Sequence, residues 1–278
     1  MTPPGTYQEF AQALGGVSAS LSPQQRVIAQ FVLANPDDVA LGTAATVADA
    51  AGVQPSALVR FANVMHLSGF SELQRLCRDR LLARAGTYRE RIGAMKTRKG
   101  GARGEDVLPS LVAAGVDDLQ HLEQSVSQDV LRKAAQAIVK GRCVHVLAQR
   151  RAFPVAAYLA YALAQLELRV QLHDGVGGML NESLRTLETN DVLLVTSFQN
   201  YSADVINAAR QAHRQDIAVI AITDTPMSPL AACAIACLQT GNGHATPVRS
   251  LVSAMCLAQA LVISAGQSLI QANRSKKR

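Results

Sequence analysis

The sequence predicts an α/β protein in two parts. Residues 1–85 form an all-α N-terminal domain, residues 86–104 a basic Gly-rich linker, and residues 105–278 a three-layer α/β/α domain with a mainly parallel sheet. Three observations carry that prediction. Residues 21–83 read as closely spaced helices with short connections. From residue 143 onward, short apolar runs rich in β-formers alternate with helical segments, the pattern of a parallel sheet covered on both faces. Between the two lies "GTYRERIGAMKTRKGGARG", rich in glycine and positive charge and poor in apolar residues, which is linker composition.

Taken in order, "LSPQQRVIAQFVLANP" opens a helix with Ser22 as N-cap and Pro23 at its first position. It places Val27, Ile28, Phe31 and Val32 on one face, and Pro36 ends it. Three further helices follow: 44–51, closed by Gly52; 55–66; and 71–84, capped by Ser71 after "SGF". In the second part an amphipathic stretch over 105–139 precedes the first strand, "CVHVLA". The runs "LRVQL" at 168, "DVLLVTSF" at 191, "IAVIAIT" at 217 and "AIACLQ" at 234 supply four more strands, separated by helices of 10 to 16 residues, and a last long helix covers 247–269. In such a sheet ligands bind at the C-terminal ends of the strands.

Composition narrows the classes. The chain has 278 residues, 49% of them hydrophobic, enough for a substantial core. It shows no run of 18 or more uncharged apolar residues, and "MTPPGTYQEF" lacks a basic region followed by an apolar core. Neither a membrane span nor a secretory signal is therefore expected, and a cytoplasmic location follows by default. Five cysteines, Cys77, Cys143, Cys233, Cys237 and Cys256, form no paired CxxC pattern, which predicts free thiols, with no metal and no cofactor. Residues 1–104 hold 12 Lys+Arg against 7 Asp+Glu, while 105–278 hold 15 against 14, four of the 15 in the tail "RSKKR". That asymmetry suits a basic module that meets phosphate joined to a near-neutral one, although a solvated basic linker gives a similar balance.

Within "TVADAAGVQPSALVRFANVM" the spacing is that of a helix-turn-helix. Val47, Ala48 and Ala51 give the first helix a small apolar face, Gly52 takes the positive φ of the turn, Val53 plugs the corner and Pro55 starts the second helix. Leu58, Val59, Phe61 and Ala62 are expected to pack inward, leaving Gln54, Ser56, Ala57, Arg60 and Asn63 toward solvent, with Thr46 on the first helix completing a DNA-facing set. Arginine pairs bidentately with guanine and asparagine with adenine, and Ala57 would touch a thymine methyl, so this set can read a major groove.

The blocks "LSPQQRVIAQFVLANP", "VADAAGVQPSALVRFA" and "LSGFSEL" together resemble the N-terminal domain of the RpiR/MurR-type bacterial transcriptional regulators. That resemblance implies that the helix from Pro55 is the recognition helix. It also implies a sugar isomerase (SIS) domain after the linker, and residues 128–266 look like one, with "DVLLVTSFQNYSADVINAARQAHRQDIAVIAITD", "SPLAACA" and "TPVRSLVSAMCLAQALV" as the matching segments. SIS domains resemble flavodoxin in layout. In the family they bind phosphosugars through a Gly-rich turn after the first strand and a Ser/Thr-rich loop after the third.

This chain keeps part of that apparatus. In "LAQRRAFPVA" the family's glycines are replaced by Ala148 and Arg150, and the capping serine by Ala152. In "TSFQNYSADV", Ser197 and Ser202 match hydroxyl positions, whereas Gln199 and Asn200 stand where serine and glycine are commoner; Ser250 matches a serine near the final helix. Either Arg150 and Arg151 supply charge-assisted bonds to an anion in place of the lost amides, or the pocket has moved to another ligand or to none. "HDGVGGML" adds Asp174 and a glycine turn at the ligand edge, where a plain strand-to-helix turn serves as explanation too.

Aldose-ketose isomerisation needs a positioned general base. The strand ends offer His173, Asp174, Asp224 and His244, with no paired constellation that spacing identifies, so a sensor is expected rather than an enzyme. The expected partners are double-stranded operator DNA, a small-molecule effector such as a sugar phosphate, and further copies of the chain in a homodimer or homotetramer. The alternatives are a regulator whose SIS domain serves assembly alone, and a sugar-phosphate isomerase.

Overall fold

The computed structural model describes residues 3–17, 20–85, 107–241 and 250–276. The linker expected at 86–104 and the candidate base His244 lie outside the described residues. The chain divides into two compact units, the first running to Leu108 and the second opening at Pro109.

The first unit holds α1 (Tyr7–Val17), α2 (Pro23–Ala34), α3 (Pro36–Leu41), α4 (Ala44–Ala51), α5 (Pro55–Val64) and α6 (Phe70–Ala85). Ser22 caps α2 as expected, in a reciprocal box: its Oγ accepts the Gln25 amide and the Gln25 side chain accepts the Ser22 amide. Two helices escaped the sequence reading. In α1 the pair Gly15–Gly16 interrupts the period, and Pro36 begins α3 instead of merely ending α2, because proline fits the first turn of a helix.

The buried face of α2 also differs from the one expected. Ile28, Ala29, Val32 and Leu33 are buried, whereas Val27 is 45% exposed and Phe31 half-buried, correcting the expected face by about one residue. The cap of α6 differs as well. The helix starts at Phe70, and Glu72 accepts the Ser68 amide at 2.7 Å, with Ser71 exposed inside the first turn. Phe10, Leu14, Ile28, Leu33, Leu58, Phe61, Leu73 and Leu76 form the core, with Phe10 and Phe61 edge to face at 6.3 Å. Each such side chain contributes roughly 1.5–3 kcal/mol by leaving water.

The second unit runs α7 (Val107–Ser125), α8 (Gln128–Lys140), β1 (Val144–Ala148), α9 (Phe153–Ala164), β2 (Val170–His173), α10 (Leu180–Leu184), β3 (Val192–Thr196), α11 (Ala203–Arg214), β4 (Ala218–Thr223), β5 (Ala236–Gln239) and α12 (Val252–Lys276). All five expected strands are present and parallel, in the order β2-β1-β3-β4-β5. Strands β1 and β3 are buried at every position, as runs covered on both faces must be.

On one face Val144, Val146, Val192, Leu194, Ile220 and Leu238 pack with Ile138 of α8, Leu159 of α9 and Leu261 of α12. On the other, α11 packs on β3 and β4 and buries Val205, Ile206, Ala209 and Ala212. Two connections depart from the expected helices of 10 to 16 residues. The helix between β2 and β3 has five residues, and β4 joins β5 through turns alone. Helix α12 starts at Val252 and runs to Lys276, later at both ends than expected.

By length and composition its segment Val252–Ala272 could cross a membrane, with mean hydropathy 1.5. Its stripe Ala254, Leu257, Ala258, Leu261 and Ala265 is nevertheless buried in the core, which is the spacing of a packed amphipathic helix.

Candidate DNA interface and ligand site

In the first unit the turn between α4 and α5 follows from two residues. Gly52 sits at φ 68°, ψ 34°, and its amide reaches the carbonyls of Ala48 and Asp49, closing α4 in the left-handed conformation. Pro55 then opens α5, with Gln54 at the N-cap making no side-chain cap bond. At the start of α4, Thr43 and Thr46 cap each other, the Thr43 amide donating to Thr46 Oγ1 at 2.8 Å and the Thr46 amide to Thr43 Oγ1 at 3.2 Å. Thr46 is exposed, and its hydroxyl is engaged in that cap.

The buried residues of α5 are Ala57, Leu58, Phe61 and Ala62. Two expectations are therefore corrected. Ala57 is 3% exposed and points into the core, and Val59, expected inside, is 42% exposed. The reason is the 3.6-residue period: with Leu58, Phe61 and Ala62 inward, residue 57 falls beside 61 and residue 59 falls on the opposite side. Gln54, Ser56, Arg60 and Asn63 are exposed as expected. Ser56, Val59, Arg60 and Asn63 thus line one outward face, with Val59 the exposed apolar residue on it.

In the second unit the strand order reverses between β1 and β3, so their C-terminal ends open the crevice where such sheets take ligands. After β1, Arg150 holds φ 56°, the left-handed conformation that suits glycine, at a cost of roughly 1–2 kcal/mol. Arg150 and Arg151 are exposed, and the Arg151 guanidinium stacks 5.0 Å from the centre of the Phe198 ring. Ala152 is buried at the entry to α9.

After β3, Ser197, Gln199 and Ser202 are buried and Asn200 half-buried. Ser197 Oγ accepts the Ser202 amide at 3.1 Å, and the Ser202 hydroxyl donates to Gln149 Oε1. Gln149 Nε2 in turn donates to Asp204 Oδ2 at 3.0 Å. At the end of β4, the Asp224 carboxylate accepts the Gln199 amide at 2.7 Å and the Tyr201 hydroxyl at 2.8 Å, holding the loop from below. Gln149 and Asp204 escaped the sequence reading, and only their places at a strand end and a helix start could have flagged them; Asp224, named there as a strand-end candidate base, instead holds the loop.

Ser250 is exposed, and its Oγ accepts the Val252 amide at 3.1 Å, an N-terminal cap for α12. Asp174 is exposed and accepts the Val176 amide at 2.9 Å, the geometry of a local turn. His173 is buried on the far face of the sheet, stacked on His145. Thr196 Oγ1, Asn200 Oδ1 and Ser253 Oγ are buried atoms with no hydrogen-bond partner among the described residues. Such atoms cost free energy unless something else bonds them. A polar cleft of about 170 Å³ between α8 and α12, lined by Arg132, Gln267 and Gln271 among others, is set away from these loops.

All five cysteines are free thiols. Burial pushes Cys77 up to about 12 and Cys237 up to about 11, so both stay protonated and unreactive at neutral pH.

Residues 9–81 match the model of the helix-turn-helix domain of the rpiR family, and residues 138–264 match the SIS domain model. Among solved structures, the NanR protein of Vibrio vulnificus complexed with ManNAc-6P is similar over 96% of this chain and 94% of that one, at 19% identity and TM-score 0.56. The sugar isomerase domain of an RpiR transcription factor from Sphaerobacter thermophilus matches 61% of this chain and 99% of its own, at 22% identity and TM-score 0.53. Phosphoheptose isomerase GmhA of Neisseria gonorrhoeae shares the fold over 59% of this chain and 98% of its own, at 18% identity and TM-score 0.50. With an rpiR-family helix-turn-helix domain followed by a SIS domain, the chain belongs to the RpiR-type transcription regulators.

Proposed function

We propose that this protein is a cytoplasmic, non-enzymatic regulator that binds double-stranded operator DNA through α5 and answers to a small metabolite bound at the C-terminal edge of its sheet. The observation that carries the reading is the outward row Ser56, Val59, Arg60 and Asn63 over a fully apolar inner face, in a domain matched to the rpiR helix-turn-helix. Residues 1–85 serve as the DNA-binding domain, 86–104 as the linker and 105–278 as the sensing and assembly domain. One short helix reads too few bases for useful specificity, so a homodimer or homotetramer places two such helices on a repeated or palindromic site. An effector that prefers one arrangement of that assembly changes the spacing of the helices and with it DNA affinity.

The test is fluorescence anisotropy of the full chain on its own upstream intergenic DNA at fixed salt, with and without a panel of sugars, sugar phosphates and small organic acids. Specific binding changed by one compound supports both halves of the reading. Specific binding that no compound alters supports instead a SIS domain used for assembly alone, a second reading favoured by the loop hydroxyl already taken up by Gln149. Absence of any preference among DNA sequences overturns the regulator reading.

A further inference from the structure

The loop after β3 and the start of α11 are where a SIS fold offers amides and hydroxyls to an anion. In this chain that place is filled from inside. Gln149, the residue after β1, reaches across to the loop, takes the hydroxyl of Ser202 on its amide oxygen and donates its amide nitrogen to Asp204. Asp204 lies in the first turn of α11 and is exposed. A carboxylate there is stabilised by the helix dipole and occupies the field that would otherwise attract a phosphate. Below the loop, the Asp224 carboxylate holds the Gln199 amide, which removes a further backbone donor from an incoming anion.

Among the described residues, three buried side-chain oxygens of the second unit have no hydrogen-bond partner. Thr196 Oγ1 ends β3, Asn200 Oδ1 sits in the loop and Ser253 Oγ lies in the first turn of α12. All three are uncharged. The two hydroxyls can donate or accept, but Asn200 Oδ1 can only accept, so it needs a donor that a ligand hydroxyl supplies and an ionised phosphate does not.

We propose that Gln149 is a specificity-determining residue of the effector site: with Asp204 it closes the N-terminus of α11 to phosphate, so the ligand presents an uncharged, hydroxyl-bearing end to this loop. The inference rests on the reading of this edge as an effector site. Arg150 and Arg151 stand next in the chain and are the groups through which a phosphate would bind if the inference were wrong.

The experiment uses inorganic phosphate as the probe and the full chain without DNA. Calorimetric titration and thermal shift are run at constant ionic strength set with chloride, on wild type, Asp204→Asn, Gln149→Ala and the double variant. Asp204→Asn keeps the size of an exposed side chain, so it preserves the fold if Gln149→Ala does not. The expected result is no phosphate binding by wild type up to millimolar concentration, and a gain of roughly tenfold or more in phosphate affinity in the Asp204→Asn and double variants, because a fixed like charge opposes the anion. Phosphate binding by wild type as tight as in the variants overturns the inference, and its loss in Arg150→Ala with Arg151→Ala would locate it on those arginines. Equal failure of all variants to bind phosphate also overturns it, since Gln149 and Asp204 would then exclude nothing. Each of these outcomes leaves DNA binding untouched, so failure here is separate from failure of the regulator reading.

Discussion

His145 Nδ1 and His173 Nε2 lie 2.9 Å apart, their rings stacked at 5.2 Å with 19° between planes, in the interior of the second unit. The pair joins β1 to β2 and continues into a chain of polar groups. His145 Nε2 is 3.2 Å from Asp191 Oδ2, Asp191 takes both nitrogens of the Arg142 fork at 2.9 Å, and His173 Nδ1 is 2.8 Å from the Ser183 hydroxyl. Donor counting orders the protons. An ionised Asp191 needs His145 Nε2 as donor, which makes His145 Nδ1 the acceptor from His173 and leaves His173 Nδ1 to accept from Ser183.

That order requires both rings to be neutral, and burial drives them that way. It pushes His173 down to about 4, helped by the neighbouring His145, and lowers His145 as well, against the pull of Asp191. Burial raises Asp191, but Arg142, the Glu188 amide and His145 outweigh it and hold the carboxyl below its ordinary range. A histidine depressed in the folded state is protonated first in the unfolded one, so its contribution is complete above the unfolded value near 6.5 and is lost as pH falls toward about 4. The melting temperature of the second unit should therefore decline from pH 7 to pH 4.5, and in His173→Gln this slope should flatten. An unchanged slope in the variant would contradict the assignment.

Ser183→Ala tests the far end of the same chain. It removes the donor to His173 Nδ1 and leaves a buried ring nitrogen unbonded, at a cost of roughly 1–3 kcal/mol. Urea denaturation at pH 7 measures it. A change below a few tenths of a kcal/mol would mean that the hydroxyl serves the Leu180 carbonyl, 2.9 Å away, instead.

Two glycines of the helix-turn-helix should respond differently to alanine. Gly52 has φ 68° and open space where a Cβ would stand, so Gly52→Ala costs only the left-handed backbone term, about 1–2 kcal/mol. Gly42 has an ordinary φ of −80°, but a Cβ there would fall 2.7 Å from the Asp38 carbonyl and 2.9 Å from Val47. Gly42→Ala should cost more than Gly52→Ala, because backbone must move, and paired thermal melts would decide the order.

On α5, Arg60→Ala should weaken specific DNA binding by roughly 1–3 kcal/mol if the guanidinium reads a base, and relax preference at one position. An equal loss on random DNA would make it a phosphate contact. Val59→Ala should reduce preference for thymine at one position with little effect on folding, whereas Ala57→Leu, at a buried site, should destabilise the domain and not act through DNA contact. Binding curves set beside melting curves separate the two.

Much of the fold was legible because it rests on local periodicity. The inner strands β1, β3 and β4 announced themselves as apolar runs, since inner parallel strands bury both faces, and Ser22, Pro23, Gly52 and Pro55 carry their backbone roles in their own chemistry. The outward character of Gln54, Ser56, Arg60 and Asn63 was legible for the same reason.

What the sequence left open depends on partners distant along the chain. The core that α5 packs into includes Phe10, edge to face with Phe61 and carried by a helix that the sequence did not announce. Likewise, Ser197 and Ser202 were visible as hydroxyl positions, yet the engagement of Ser202 by Gln149 depends on a crossing of 53 residues that brings β1 beside β3. The two-part architecture, the strands and the helix-turn-helix were legible along the chain, because they follow from period, caps and turn residues within a few positions of one another. The buried histidine chain and the contacts of Gln149 with Ser202 and Asp204 come from tertiary structure, because each is a choice of partner made across the fold.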